Sequence, residues 1–282
     1  MSDWTLRREN LGLRTRAGTG AGAAAAGAAG RGAEALPPPP HERALDAAAR
    51  FRVRLRRLAD LQFGSIWTDL AALLPQVRGT LADVGAGAQP FRDLLPREVR
   101  YIAVDIEEAE QHFGYRAVDT RYFRGARLPL TDGEAETVLC TETLEHVEEP
   151  ATFLRELRRV LSPGGRLILT VPFAARWHFV PHDYWRFTPA GLEQVLAHAG
   201  FREIRVYARG GALAVAGYKV WGLVLLLLAG NGRRGVAGAL ARLLGAALLP
   251  MGAIAVLAGH LGLKFPGTAE DTLGYTVLAR GP

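Results

Sequence analysis

The side chains with the most chemical promise fall in three short stretches. Glu142-Thr-Leu-Glu-His146 closes an apolar run, and Pro181-His-Asp-Tyr-Trp-Arg-Phe-Thr-Pro189 packs His182, Asp183, Tyr184, Trp185 and Arg186 side by side. Imidazoles and carboxylates at the end of a strand suit proton transfer, so His146, His182 and Asp183 are the candidate catalytic groups, and Tyr184, Trp185 and Arg186 the candidate substrate contacts. The plainer reading of the second stretch is a polar loop whose Thr188 caps the next helix with Pro189 at its first position; both readings can hold together. The third stretch, residues 80–90, is an apolar run ending in Asp83 that turns through Gly85, Ala86 and Gly87. Glycines let the main chain approach a ligand, and a following helix start offers unpaired N–H donors. Asp83, just ahead of the turn, is placed to orient it or to reach a bound cation.

These groups need a scaffold, and the apolar periodicity supplies one. Strand signals at 80–84, 100–105, 115–119, 137–141, 166–171 and 201–207 alternate with helix signals near 89–95, 150–161 and 188–199, and a last strand follows at 274–279. After Asp105 the connection is short and acidic, so the next helix is expected to be reduced or missing. Alternating β and α elements at this spacing predict a doubly wound, Rossmann-like α/β sheet of seven strands. Its ligand belongs outside the carboxyl ends of the strands, where Gly85, Asp105 with Ile106, Asp119 and Glu142 all fall. Residues 41–78 read as N-terminal helices, with Ile66, Leu70, Leu73 and Leu74 on one face. Residues 1–40, rich in Gly and Ala and ending in four prolines, read as a disordered tail.

A dinucleotide fingerprint wants a third glycine three residues after Gly87, and that position is Pro90. An acidic residue about 20 positions on, Asp105, would bind a ribose in either cofactor class. The combination decides. In order, Asp-Val-Gly-Ala-Gly, Val-Asp, Leu-Pro-Leu-Thr-Asp-Gly, Val-Leu-Cys-Thr-Glu-Thr-Leu-Glu-His-Val and Leu-Ser-Pro-Gly-Gly resemble the class I methyltransferases that use S-adenosyl-L-methionine (SAM), with a His-Asp-Tyr-Trp-Arg loop found in a subset of them. The resemblance spans residues 79–209, with the closing strand in 263–282. It implies that Gly85, Ala86 and Gly87 approach the methionine part of SAM, that Asp105 holds the ribose hydroxyls, that Asp119 lies near the adenine, and that the last strand is antiparallel. Asp83, Ile106 and Glu142 complete the expected cofactor contacts. The chain lacks an Asn/Asp-Pro-Pro-aromatic tetrapeptide after the fourth strand, which argues against amino methylation of an extruded DNA base.

Composition limits the partners. The net charge of +6 gathers in the first 78 residues, and only Lys219 and Lys264 are lysines, so nucleic acid is not an expected partner. The single Cys140 excludes an intrachain disulfide and any multi-cysteine metal site. The acidic residues are not spaced as an oxygen-ligand set, so no metal is expected. Between the sixth and last strands, residues 210–262 form an apolar insertion with segments at 212–229 and 236–259. Both approach the length that spans a bilayer, but the arginines at the tip oppose crossing. A hairpin lying in or partly inserted into the membrane interface, a lid over an apolar acceptor, and a homodimer contact are the other readings. The sequence thus predicts a SAM-dependent methyltransferase for a small or lipid-linked acceptor, cytoplasmic and held at the inner face of the membrane. The competing reading is a non-catalytic SAM- or nucleotide-binding interaction protein at a membrane.

Overall fold

The computed structural model describes residues 47–281, apart from 114–116, 118, 231, 233 and 265–269. The expected tail at 1–40 and the start of the N-terminal helical region lie outside the described residues, as does part of the insertion tip. Two helices open the described chain, α1 (Ala47–Ala59) and α2 (Leu61–Leu73). They are separated at Asp60, whose side chain accepts from the Phe63 N–H and caps α2. The sheet strands are β1 (Thr80–Val84), β2 (Arg100–Ile106), β3 (Thr120–Phe123), β4 (Ala135–Thr141), β5 (Leu161–Pro172), β6 (Arg202–Arg209) and β7 (Gly274–Arg280). Short α3 (Ala109–Phe113) follows β2, while α4 (Pro150–Val160) and α5 (Pro189–His198) precede β5 and β6.

The seven strands run in the order β3-β2-β1-β4-β5-β7-β6, and β7 is antiparallel to both neighbours. Side chains alternate across β1, and the two faces bury different partners. Ala82 and Val84 pack with Leu154, Leu157, Leu192 and Leu196 of α4 and α5. Leu81 packs with Phe63, Ile66, Leu70 and Leu74 beneath α2. Three of the four residues assigned to the inner face of α2 and the turn after it are thus buried, with Leu73 partly so. Thr188 caps α5 by accepting from the Gly191 N–H at 3.1 Å, with Pro189 in the first position, as the sequence predicts.

Three expectations are corrected. The helix expected at 89–95 is a single 3-10 turn, Arg92–Leu94, because Pro90 and the left-handed Gln89 (φ 53°) break the path out of the glycine turn. The third strand is Thr120–Phe123, later than the expected 115–119, which falls mostly outside the described residues; the β-forming Thr, Tyr and Phe carry it. Among the described residues the insertion holds three helices rather than two: α6 (Ala212–Leu228), α7 (Gly235–Ala247) and α8 (Leu249–Gly262), with Pro250 in the first turn of α8. Among the described residues no single helix is long and apolar enough to cross a membrane; α7 and α8 reach that length only together, bent by 53°.

The insertion leaves the sheet from the carboxyl end of β6 and folds back on the N-terminal helices. Glycines make this close packing possible. A Cβ on Gly217 of α6 would meet the Ala255 carbonyl of α8, and one on Gly259 of α8 would meet the Leu61 side chain. His260 Nε2 donates to the Leu58 carbonyl at 2.8 Å, tying α8 to α1.

Candidate active site

The glycine turn sits where β1 ends. Gly85 adopts φ 74° and Gly87 φ 55°, left-handed values that glycine takes without a Cβ penalty. The Gly85 and Ala86 N–H groups both donate to the Val104 carbonyl of β2, at 2.9 and 3.2 Å. Asp105 fixes the other half of the turn: Oδ2 accepts from the Gly87 N–H at 2.9 Å and Oδ1 from the Ile106 N–H at 2.8 Å. Burial raises the Asp105 carboxyl above its ordinary value, against the opposing pull of those two N–H groups.

Beside this turn lies a cavity of about 270 Å³, near the lower end of small-molecule sites. Val84, Gly85, Asp105, Ile106, Glu142, Thr143 and His146 line it from the ends of β1, β2 and β4, and Phe123, Gly125 and Ala126 line it from the end of β3. Of the expected cofactor contacts, Gly85, Asp105, Ile106 and Glu142 therefore meet in one cavity. Ala86 and Gly87 shape the turn without being among the lining residues.

Asp119 is a correction. It precedes β3 instead of ending it, its side chain is 73 % exposed, and it lies 3.6 Å from the Arg92 guanidinium. Gly125 and Ala126, just past the end of β3, take the wall expected of it; the glycine after an aromatic strand was the available signal. Asp83 is placed differently too. It is buried on the α2 side of the sheet, where it accepts from the Tyr101 hydroxyl at 2.7 Å, and it does not line the cavity. Burial raises its carboxyl to about 7, opposed by the Tyr101 bond and reinforced by Asp105.

Glu142 is the hub of the cavity floor. Its backbone is left-handed (φ 48°), uncommon for a residue with a side chain and often associated with functional sites. Its carboxylate accepts from Gln62 Nε2 and from Arg209 Nη2, both at 2.9 Å. Arg209 is fully buried and also donates to the Val171 carbonyl at 2.9 Å. Gln62 and Arg209 were not singled out from the sequence, because one lies in a packing helix and the other at a strand end more than 60 residues from Glu142.

His146 is the one proposed catalytic group that lines the cavity. Its Nδ1–H donates to the His182 carbonyl at 2.5 Å, which sets the tautomer and leaves Nε2 unprotonated in the neutral ring. Burial lowers its imidazole, outweighing that hydrogen bond, so the neutral form is favoured.

The His-Asp-Tyr-Trp-Arg loop does something other than expected. None of His182, Asp183, Tyr184, Trp185 and Arg186 is among the cavity-lining residues; Phe179 is the loop's contribution there. The loop instead clasps the turn that carries His146. The Tyr184 and Trp185 N–H groups donate to the Glu145 carbonyl, Trp185 Nε1 to the Val147 carbonyl, and the Tyr184 hydroxyl to Glu148. His182 stacks on His112 with ring centres 4.1 Å apart, and its Nδ1 lies 3.3 Å from the Tyr184 hydroxyl. Asp183 takes both Arg186 Nη atoms, at 2.6 and 2.8 Å, and the His178 N–H at 3.0 Å. Burial alone would raise the Asp183 carboxyl, but Arg186 and His178 outweigh it and hold it below its ordinary value. An ionised, paired Asp183 is a poor proton acceptor. Its work is to shape the loop.

One group of side chains with metal-ligand geometry was not anticipated from the sequence. Glu145, His146 and His178 each offer one ligand atom, and those atoms lie within 4.8 Å of one another.

Residues 82–169 match the family model described as a methyltransferase domain. An uncharacterized methyltransferase of Mycobacterium sp. (strain KMS) is 32% identical over 126 residues, covering 43% of this chain and 50% of that protein. An uncharacterized 37.1 kDa protein in a Streptomyces fradiae transposon is 44% identical over 119 residues, 42% of this chain and 30% of that one. The chain thus spans half or less of the length of these curated relatives. A solved SAM-dependent methyltransferase from Archaeoglobus fulgidus is 14% identical, with 83% of this chain and 100% of that chain covered, at a TM-score of 0.46. The resemblance to class I SAM-dependent methyltransferases read from the motifs is supported by the matched domain, and SAM is the cofactor it implies.

Proposed function

We propose that this chain transfers the methyl group of SAM to a small or lipid-linked acceptor while resting on the inner face of a membrane. The observation that carries the first half is the cavity at the carboxyl ends of β1, β2 and β4, walled by Gly85, Asp105, Ile106 and Glu142 inside the matched methyltransferase segment. Asp105 fits a ribose: it already holds the turn through Gly87, and each of its oxygens keeps a second lone pair for a hydroxyl donor. In the transfer, an acceptor lone pair attacks the methyl carbon, the carbon–sulfur bond breaks in line, and sulfur keeps the electron pair as a neutral thioether. The protein's task is to hold donor and acceptor in register and keep water out. His146 stands at the acceptor side of the cavity with its tautomer set by the clasping loop.

The membrane half rests on the insertion. Leu240, Leu243, Leu244, Met251, Ile254 and Leu257 on α7 and α8 are all 47 % or more exposed, a patch that water-facing monomers rarely carry. Helices of this kind lie in the interface with their apolar faces down. They leave the sheet at its carboxyl end, the same end as the cavity, which suits an acceptor presented from a lipid surface. Phe51, Leu55 and Leu58 on neighbouring α1 add to the exposed apolar area.

Calorimetric titration with SAM, its demethylated product and NAD tests the cofactor reading. SAM is expected to bind one per chain, NAD not at all, and Asp105→Ala to weaken SAM by about tenfold or more through the lost ribose contacts. No SAM binding, or an unchanged affinity in Asp105→Ala, would sink it. Extraction of cell membranes tests the second half: detergent, but not salt, is expected to release the protein.

A further inference from the structure

We propose that Glu145, His146 and His178 form a binding site for a first-row divalent transition-metal ion at the edge of the cofactor cavity. Glu145 is fully buried, and neither of its carboxylate oxygens has a hydrogen-bond partner. A carboxyl in that position is costly in either protonation state: ionised it lacks a counter-charge in contact, and neutral it still lacks an acceptor for its O–H.

The two histidines face it in the arrangement that ligands adopt. His146 Nδ1 is engaged with the His182 carbonyl, and its Nε2 lies 3.7 Å from Glu145 Oε1. His178 Nδ1 lies 2.9 Å from the Arg176 carbonyl and 3.1 Å from Asp183 Oδ2, so its Nε2 is the nitrogen left to a ligand. Metal-bound histidines characteristically donate their other ring N–H to a carbonyl or carboxylate, which fixes the ring and raises its basicity. Here both meet a carbonyl, His146 that of His182 and His178 that of Arg176, and the Asp183 carboxylate also lies beside His178 Nδ1. The ring centres lie 4.9 Å apart, edge to face. The Asp183–Arg186 clasp thereby gains a purpose that the cavity lining does not explain: it orients His178 from behind.

Two imidazoles and one carboxylate suit Zn2+, Fe2+, Mn2+ or Co2+, whereas Mg2+ and Ca2+ favour all-oxygen sites. Three protein ligands leave at least one coordination position for an outside ligand. Because His146 also lines the cavity, an ion held here would orient and polarise an acceptor oxygen; that role, though not the binding itself, rests on the methyltransferase reading. With its Nε2 on a metal, His146 is a ligand and no longer a proton acceptor.

The test uses the full chain stripped with chelator and titrated with Co2+ alone, read by its visible absorption, then with Zn2+ by calorimetry. One ion per chain is expected. Glu145→Gln and His178→Ala are each expected to lower affinity by more than about 100-fold, beyond the 10–100-fold typical of supporting residues, and Asp183→Asn to fall within that range. His198→Ala, at the exposed last position of α5, should bind as the wild type does. Zn2+ should raise the melting temperature of the wild type and not that of Glu145→Gln, which keeps the volume of the side chain, and SAM titration of the same samples reports whether each variant is folded. No stoichiometric binding by the wild type, or binding unchanged in both Glu145→Gln and His178→Ala, would overturn the proposal. SAM binding without metal binding would refute this site and leave the methyltransferase reading intact; metal binding without SAM binding would do the reverse.

Discussion

Replacing Gly85 by alanine tests the turn on which the cavity is built. The backbone there has φ 74°, and a Cβ would sit 2.2 Å from Thr143 Oγ1, 2.6 Å from Cγ2 and 2.9 Å from Cβ. The left-handed conformation costs an alanine about 1–2 kcal/mol. The collision adds about 1–3 kcal/mol of overpacking, because Thr143 is pinned by its hydroxyl bond to the Thr141 carbonyl at 3.0 Å and has little room to withdraw. The sum is about 2–5 kcal/mol, a large share of the roughly 5–15 kcal/mol that holds a typical domain. Urea unfolding of the wild type, Gly85→Ala, Thr143→Ala and the double variant forms a cycle. Thr143→Ala removes the two nearest atoms and leaves the third, so the double variant should be more stable than additivity predicts by about 1–2 kcal/mol. Calorimetry should show SAM binding to Gly85→Ala weakened by about tenfold or more, since both residues line the cavity. A cost below about 1 kcal/mol, or strict additivity with Thr143→Ala, would refute the geometry argued for the turn.

Two further outcomes follow from the buried charges. Arg209→Met strips the Glu142 carboxylate of its buried partner and should cost about 3 kcal/mol, the low end for breaking such a pair because Gln62 remains; adding Glu142→Gln should restore about 1 kcal/mol in urea unfolding, and no restoration would argue against the pair. Asp83 has a folded value of about 7 against an ordinary 3.8, so between those values the folded chain keeps a proton that the unfolded chain has lost. Its contribution to stability is full below about pH 4 and declines as pH rises to about 7, by up to about 4 kcal/mol at about 1.4 kcal/mol per pH unit. Asp83→Asn, which can still accept from Tyr101, should therefore gain on the wild type between pH 5 and pH 8, and a difference independent of pH would refute the buried, raised carboxyl.

Much of the donor side was legible from residue order because its signals are local. A strand, a glycine turn and an acid ending the next strand lie within 26 residues, and the backbone conformations that Gly85 and Gly87 require belong to glycine itself. The same holds for the Thr188 cap and the apolar runs of β1, β4 and β5. The clasp of the loop on the His146 turn was not legible because it is assembled from distant parts. Consecutive polar residues from His182 to Arg186 look like a site, yet His182, Tyr184 and Trp185 are taken up by hydrogen bonds with the turn at Glu145–Glu148, about 36 positions away, and Asp183 and Arg186 by each other, pairings that no spacing rule reports. Asp119 was misplaced because a strand's end sets which residues reach the cavity, and pairing with β2 begins at Thr120.

Sequence alone determined the alternating sheet and the glycine turn, since these follow from backbone freedom and short-range periodicity, and its motifs carry the resemblance that implies SAM. Tertiary structure alone decided that His178 meets Glu145 and His146, that Arg209 neutralises Glu142, and that the apolar insertion leaves the sheet at the same end as the cavity. Those contacts depend on which strand ends and loops converge at the carboxyl edge of the sheet, and burial, not proximity in the chain, sets the charge and partners of each group.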